Sequence, residues 1–88
     1  MNIKVLGPGC ARCHALEKTV KEVVNELQID VTVEEVKDMT KIIEYPILTT
    51  PGLVINEQVV SSGKVLGKKE VTHLIVTAIE KEKQEKSF

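Results

Sequence analysis

The run Gly7-Pro8-Gly9-Cys10-Ala11-Arg12-Cys13-His14 constrains this chain more than any other. An apolar strand, Ile3-Lys4-Val5-Leu6, ends at the Gly-Pro-Gly break, and a helical pattern opens directly after it. Between Ala11 and Leu27 the apolar positions Leu16, Val20, Val23, Val24 and Leu27 recur on one helical face. Glu17, Lys18, Lys21, Glu22 and Glu26 fall elsewhere, with Glu17 and Lys21 forming a favourable i,i+4 pair. A C-x-x-C placed where a strand hands over to a helix reads as a redox motif.

The spacing has a physical basis. Positions i and i+3 share a helix face, with Cβ atoms about 5–6 Å apart, whereas a disulfide needs about 3.5–4.5 Å. A first cysteine at the helix mouth, before regular geometry sets in, can swing to close that gap. Unpaired amides and the helix dipole also favour a thiolate at the mouth, where thiol pKa values fall to about 3.5–7.5. Cys10 is therefore the expected attacking thiolate and Cys13 the resolving thiol of a thiol–disulfide exchange. Arg12 adds positive charge beside the anion, and His14 is expected on the exposed first turn or tuning the thiols electrostatically.

Other readings of the motif are weaker. Two soft ligands at Cys10 and Cys13 could carry an ion such as Cu(I) or a metalloid. A structural zinc needs four ligands, and His73 sits away from the apolar stripe of its own helix, so no metal is assigned. C-x-x-C-H also matches c-type haem attachment, but the motif lies inside a β-α unit and Met39 reads as core rather than as an axial ligand. A scaffold with an idle disulfide is the third alternative.

Downstream, Ile29, Val31 and Val33 alternate with Asp30, Thr32 and Glu34, the two-residue period of a strand. Asp38 is a candidate N-cap for a short helix through Ile42 and Ile43, which Pro46 and Pro51 terminate. Leu53-Val54-Ile55 and Gln58-Val59-Val60-Ser61 flank Asn56-Glu57, a hairpin signature in which Glu57 suits the second turn position poorly. Gly63 and Gly67 bracket a loop, and Val71, Leu74, Ile75, Ala78 and Ile79 mark a last amphipathic helix. The order is β-α-β-α-β-β-α. The first two strands should be parallel with a right-handed crossover, giving an α/β fold with a mixed four-stranded sheet and helices on its faces. The expected organisation is a single domain over residues 1–80 and a charged tail over 81–88, fraying into solvent.

Composition excludes several function classes. Twelve Lys plus Arg against thirteen Asp plus Glu leave a formal charge of −1, which does not suit bulk electrostatic binding of nucleic acid. The apolar runs are too short to span a membrane, and the early Gly-Pro-Gly leaves no room for a signal-peptide apolar region. The expected compartment is the cytoplasm. Gly7-Pro8-Gly9 lacks the remainder of either phosphate-loop pattern. Local sequence gives Pro51 no reason to leave the trans form, since X–Pro bonds in folded proteins are cis in only about 5–6% of cases.

Together, Gly9-Cys10-x-x-Cys13, Glu44-Tyr45, Thr50-Pro51, Leu53-Val54-Ile55-Asn56 and Ser62-Gly63 give a chain that resembles the thioredoxin superfamily. The nearer likeness is to the small microbial thioredoxin-like group called redox-active disulfide protein 2, and it covers nearly everything before the tail. The resemblance implies a thioredoxin-like three-layer fold and a cis Thr50–Pro51 bond beside the cysteines. It also implies a Thr50 backbone free to pair with an extended substrate segment. Tyr45 could then pack beside the thiols. The cofactor would be the chain's own Cys10–Cys13 disulfide. The partners would be an external disulfide reductase and protein or small disulfide substrates, with the protein acting as a monomer. The sequence departs from ordinary thioredoxins in having no tryptophan and no additional N-terminal strand and helix. It also lacks a clear equivalent of the buried acid near the resolving thiol, and Pro46 follows Tyr45 where the small group often has Gly.

Overall fold

Strand β1 (Asn2–Leu6) alternates its side chains between two apolar layers: Ile3 and Val5 point into one, Leu6 into the other. The computed structural model describes residues 1–9, 11–47 and 49–86, without the side chains of 83–86. Its elements follow as helix α1 (Ala11–Leu27), strand β2 (Thr32–Val36), helix α2 (Met39–Ile42), strands β3 (Gly52–Ile55) and β4 (Gln58–Ser62), and helix α3 (Lys68–Lys86). This is the order read from the sequence.

The four strands form one mixed sheet in the order β2-β1-β3-β4. β1 lies centrally, parallel to β2 and antiparallel to β3, and β3 pairs antiparallel with β4 across a register shift at Leu53/Val54. On one face, Ile3, Val5, Leu53 and Ile55 pack with Leu16, Val20 and Val23 of α1 and Val71 and Ile75 of α3. On the other, Leu6 and Val54 meet Ile42, with Val36 from β2 and Tyr45 and Ile47 beyond α2 packed against them. Each fully buried aliphatic side chain contributes roughly 1.5–3 kcal/mol. Lys68 Nζ pairs with Glu26 at 2.7 Å, which adds a surface tie between the two helices of the larger layer.

Local chemistry sets the element ends. Asp38 caps α2 by accepting from the Thr40 amide at 3.0 Å and its hydroxyl at 2.7 Å. Asn56 and Glu57 both take positive φ, 51° and 65°, as a type I′ hairpin turn requires. Glu57 is the unusual residue there, and its carboxylate is occupied. It accepts from Lys4 Nζ at 2.7 Å and from the Tyr45 hydroxyl at 3.3 Å.

Two expectations are corrected. β2 begins at Thr32, later than the alternation from Ile29 suggests. Its ladder with β1 starts at the Asn2–Thr32 pair, while Ile29 and Val31 pack on the core before the strand forms. The end of the chain is no frayed tail as far as Lys86, because α3 continues to that residue. Glu82 accepts from Asn56 Nδ2 at 3.0 Å and lies 4.0 Å from the N-terminal ammonium, which anchors the helix to the hairpin turn. Among the described residues, no helix is long and apolar enough to cross a membrane.

Candidate functional site

Helix α1 begins at Ala11, so the cysteine motif straddles its mouth. Cys10 lies outside the described residues. Cys13 is fully buried on the inward face of the first turn, above Leu16 in the same stripe. Its sulfur sits directly on Gly7, where an added Cβ would overlap it and come within 2.9 Å of the Cys13 Cβ. Gly7 is held in place by its own amide, which donates to the Val36 carbonyl at 2.9 Å. The glycine after β1 is thus a packing requirement for the motif and not merely a chain break.

The proline loop comes to the same end of the sheet. Leu6, the last residue of β1, pairs with Gly52, and the preceding Thr50–Pro51 bond is cis. Pro51 is buried and Thr50 half-buried. The Pro51 carbonyl accepts from the Gly63 amide at 2.8 Å, and the Gly63 carbonyl in turn accepts from Arg12 Nη2 at 2.8 Å. Arg12, placed in the sequence as a charge beside the thiolate, therefore ties the first turn of α1 to the loop after β4, and through it to Pro51. Ser62 Oγ, at the end of β4, donates to the Thr49 carbonyl at 3.2 Å.

His14 is exposed on the first turn of α1, and His73 is exposed on α3. Among the described residues, no three His, Cys, Asp or Glu side chains gather as metal ligands. The Tyr45 hydroxyl accepts from Lys4 Nζ at 3.0 Å and donates to Glu57, at the hairpin end of β3, opposite Pro51. Lys4 lies 5.8 Å from the Tyr45 ring centroid. Lys4 holds Glu57 below the ordinary carboxylate range, and the bonds to Glu57 and then Tyr45 raise the Lys4 ammonium above its ordinary value.

Sequence reasoning missed Gly7 and Gly63 as parts of the site. A glycine beside a C-x-x-C is a usable signal for close approach. The Gly63 contact to Arg12 spans 51 residues and leaves no local pattern.

A central β1 flanked by a parallel β2 and an antiparallel hairpin, with a C-x-x-C at the mouth of α1 and a cis-proline before β3, defines the thioredoxin-like class. The Thioredoxin domain family matches residues 1–76. The chain is 37% identical over 75 residues to the thioredoxin of Methanothermobacter thermautotrophicus, covering 85% of this chain and 97% of the relative. It is 31% identical over 78 residues to the thioredoxin of Methanocaldococcus jannaschii, covering 89% and 90%. The chain belongs to the thioredoxin family, and its function is thioredoxin-like redox chemistry in that general sense.

Proposed function

We propose that this protein is a thiol–disulfide oxidoreductase acting through Cys10 and Cys13. The Cys10 thiolate attacks one sulfur of a substrate disulfide, forming a mixed disulfide and releasing a substrate thiolate that takes up a proton. Cys13 then gives up its proton and attacks the Cys10 sulfur. This closes the Cys10–Cys13 disulfide and releases the second substrate thiol. Two electrons pass to the substrate, and an external dithiol or reductase returns them. Protein disulfides, or a small disulfide such as glutathione, are the substrate class, and the chain's own dithiol is the cofactor.

The observation that carries this reading is the hydrogen-bonded path Arg12–Gly63–Pro51, which joins the cysteine motif to the cis-proline loop. It supports Thr50 and Pro51 as the edge on which an extended substrate strand pairs. Buried Cys13 suits a resolving thiol, which needs to meet only the neighbouring sulfur.

Reduction of insulin by the protein with a dithiol donor tests the proposal. Cys10→Ser is expected to abolish turnover, and Cys13→Ser to accumulate a mixed disulfide on Cys10. Turnover that survives Cys10→Ser overturns the assignment. A Cys10 pKa close to that of a free thiol, about 8.5, would remove the activated nucleophile.

A further inference from the structure

Glu35 continues the inward row of β2. The two-residue period that turns Val33 toward the larger core turns Glu35 toward α1 as well. There it meets Glu17, which lies one helical turn beyond Cys13. Each side chain is only 17% exposed. Glu17 Oε2 and Glu35 Oε1 are both buried, and neither has a hydrogen-bond donor.

Two ionised carboxylates can only accept hydrogen bonds. Pressed together with one oxygen of each out of water, they repel and leave those oxygens unsatisfied, which is costly. A single proton resolves both problems, because a carboxyl O–H on one residue donates to the carboxylate of the other. We propose that Glu17 and Glu35 share one proton and form a pH-responsive clasp between α1 and the edge strand β2, one turn from Cys13.

The surrounding charges agree with an unequal pair. The neighbouring Glu17 carboxylate, then burial, holds Glu35 above the ordinary carboxylate range; Glu35 in turn holds Glu17 below it, with Lys21 assisting. The groups facing the pair are Lys21, 3.1 Å from Glu17 Oε1, Lys37, 3.9 Å from Glu35 Oε1, and His14, whose charge favours ionisation of both. Both lysines are mostly exposed, so salt screens them.

The sign follows from linkage. Glu35, raised, contributes stability that is complete below its unfolded value of 4.5 and is lost as pH rises through the folded value. Glu17, lowered, contributes stability that is present above 4.5 and is lost as pH falls through its folded value. The clasp is therefore tightest in mild acid and opens toward neutral and alkaline pH. Its release acts on β2 beside Val36, whose carbonyl holds the Gly7 amide beneath Cys13.

Carboxyl carbon NMR titration of the full chain tests this. The expected result is Glu35 titrating above, and Glu17 below, the ordinary glutamate range, each reporting the other's step. Glu35→Gln supplies an N–H donor in place of the shared proton. Wild-type Tm is expected to decline as pH rises through the raised folded value of Glu35, while E35Q loses that decline and becomes the more stable form at the alkaline end. Independent titration of both groups near the ordinary value overturns the proposal, as do parallel Tm profiles. Should E35Q not fold, the wild-type titration alone decides.

Discussion

The guanidinium of Arg12 reaches across the site to donate to the Gly63 carbonyl at 2.8 Å, and the Gly63 amide donates to Pro51 at the same distance. The bond is exposed, so its worth to folding is about 1 kcal/mol or less. Its value is positional, because it fixes where the first turn of α1 stands relative to the proline loop. Arg12→Leu is expected to lower kcat/KM for disulfide reduction several-fold with little change in Tm. Arg12→Lys should recover part of the loss, since it keeps the charge but not the planar fork. Insulin reduction rates alongside thermal melts check this; equal rates for all three proteins would leave Arg12 without a positioning role.

Gly63 is required for two separable reasons. Its φ of +73° is strained for any L side chain, and an added Cβ would stand 2.5 Å from Thr49 Cγ2. Gly63→Ala is expected to cost about 1–2 kcal/mol for the backbone alone, plus the steric clash. Adding Thr49→Ala removes the obstructing methyl, so the double variant should regain the steric part and keep the backbone part. Urea unfolding of the two single variants and the double variant measures the coupling. A double variant no more stable than G63A would show that the loop relaxes around the methyl.

Gly7 and Cys13 form a tighter pair. A methyl at Gly7 would occupy the space of the Cys13 sulfur, so Gly7→Ala must displace the first turn of α1. Overpacking of this kind costs about 1–3 kcal/mol, and it should also lower activity by moving the resolving thiol. Combining it with Cys13→Ala makes room for the methyl. The double variant is expected to be more stable than G7A while remaining unable to complete turnover. Chemical denaturation of G7A and G7A/C13A distinguishes this from simple loss of glycine flexibility, which the second substitution would not repair.

What could be read from the sequence divides along the range of the forces involved. Helical and strand periods, the Asp38 cap and the C-x-x-C are local, and they yielded the element order and the sheet. The Asn56-Glu57 turn was legible as a hairpin. The reason glutamate is accepted at φ 65° was not, because its partners Lys4 and Tyr45 come from distant parts of the chain. Glu17 looked like one charge among several on the outer face of α1. One of its carboxylate oxygens is buried only because Glu35 arrives opposite it from β2. The charged C-terminal stretch looked loose on composition, yet Glu82 binds Asn56. The two glycines of the site are visible as letters, but their neighbours Cys13, Thr49 and Arg12 are set by tertiary packing.

The Lys4–Glu57 pair makes a pH prediction that the sequence alone would not. Glu57 is held below the ordinary carboxylate range, chiefly by Lys4. Its contribution is present above the unfolded value of 4.5 and disappears as pH falls through the lowered folded value. Lys4 is raised, chiefly by Glu57, so its contribution is complete below the unfolded 10.5 and is lost only on the alkaline side. Between those limits Glu57→Gln should melt below wild type by no more than a few degrees, because the glutamate is exposed and screened. The two melting curves should converge in acid. Glu57→Gly separates the backbone from the charge: glycine suits the positive φ, so it should recover stability in acid, where the ion pair is already lost. At about pH 7, and more strongly at low salt than at high, the missing carboxylate offsets that gain. Thermal melts of wild type, E57Q and E57G across acid and neutral pH at two ionic strengths provide the check. A wild-type advantage over E57Q that persists unchanged into strong acid would mean that Glu57 acts through packing in the turn and not through its charge.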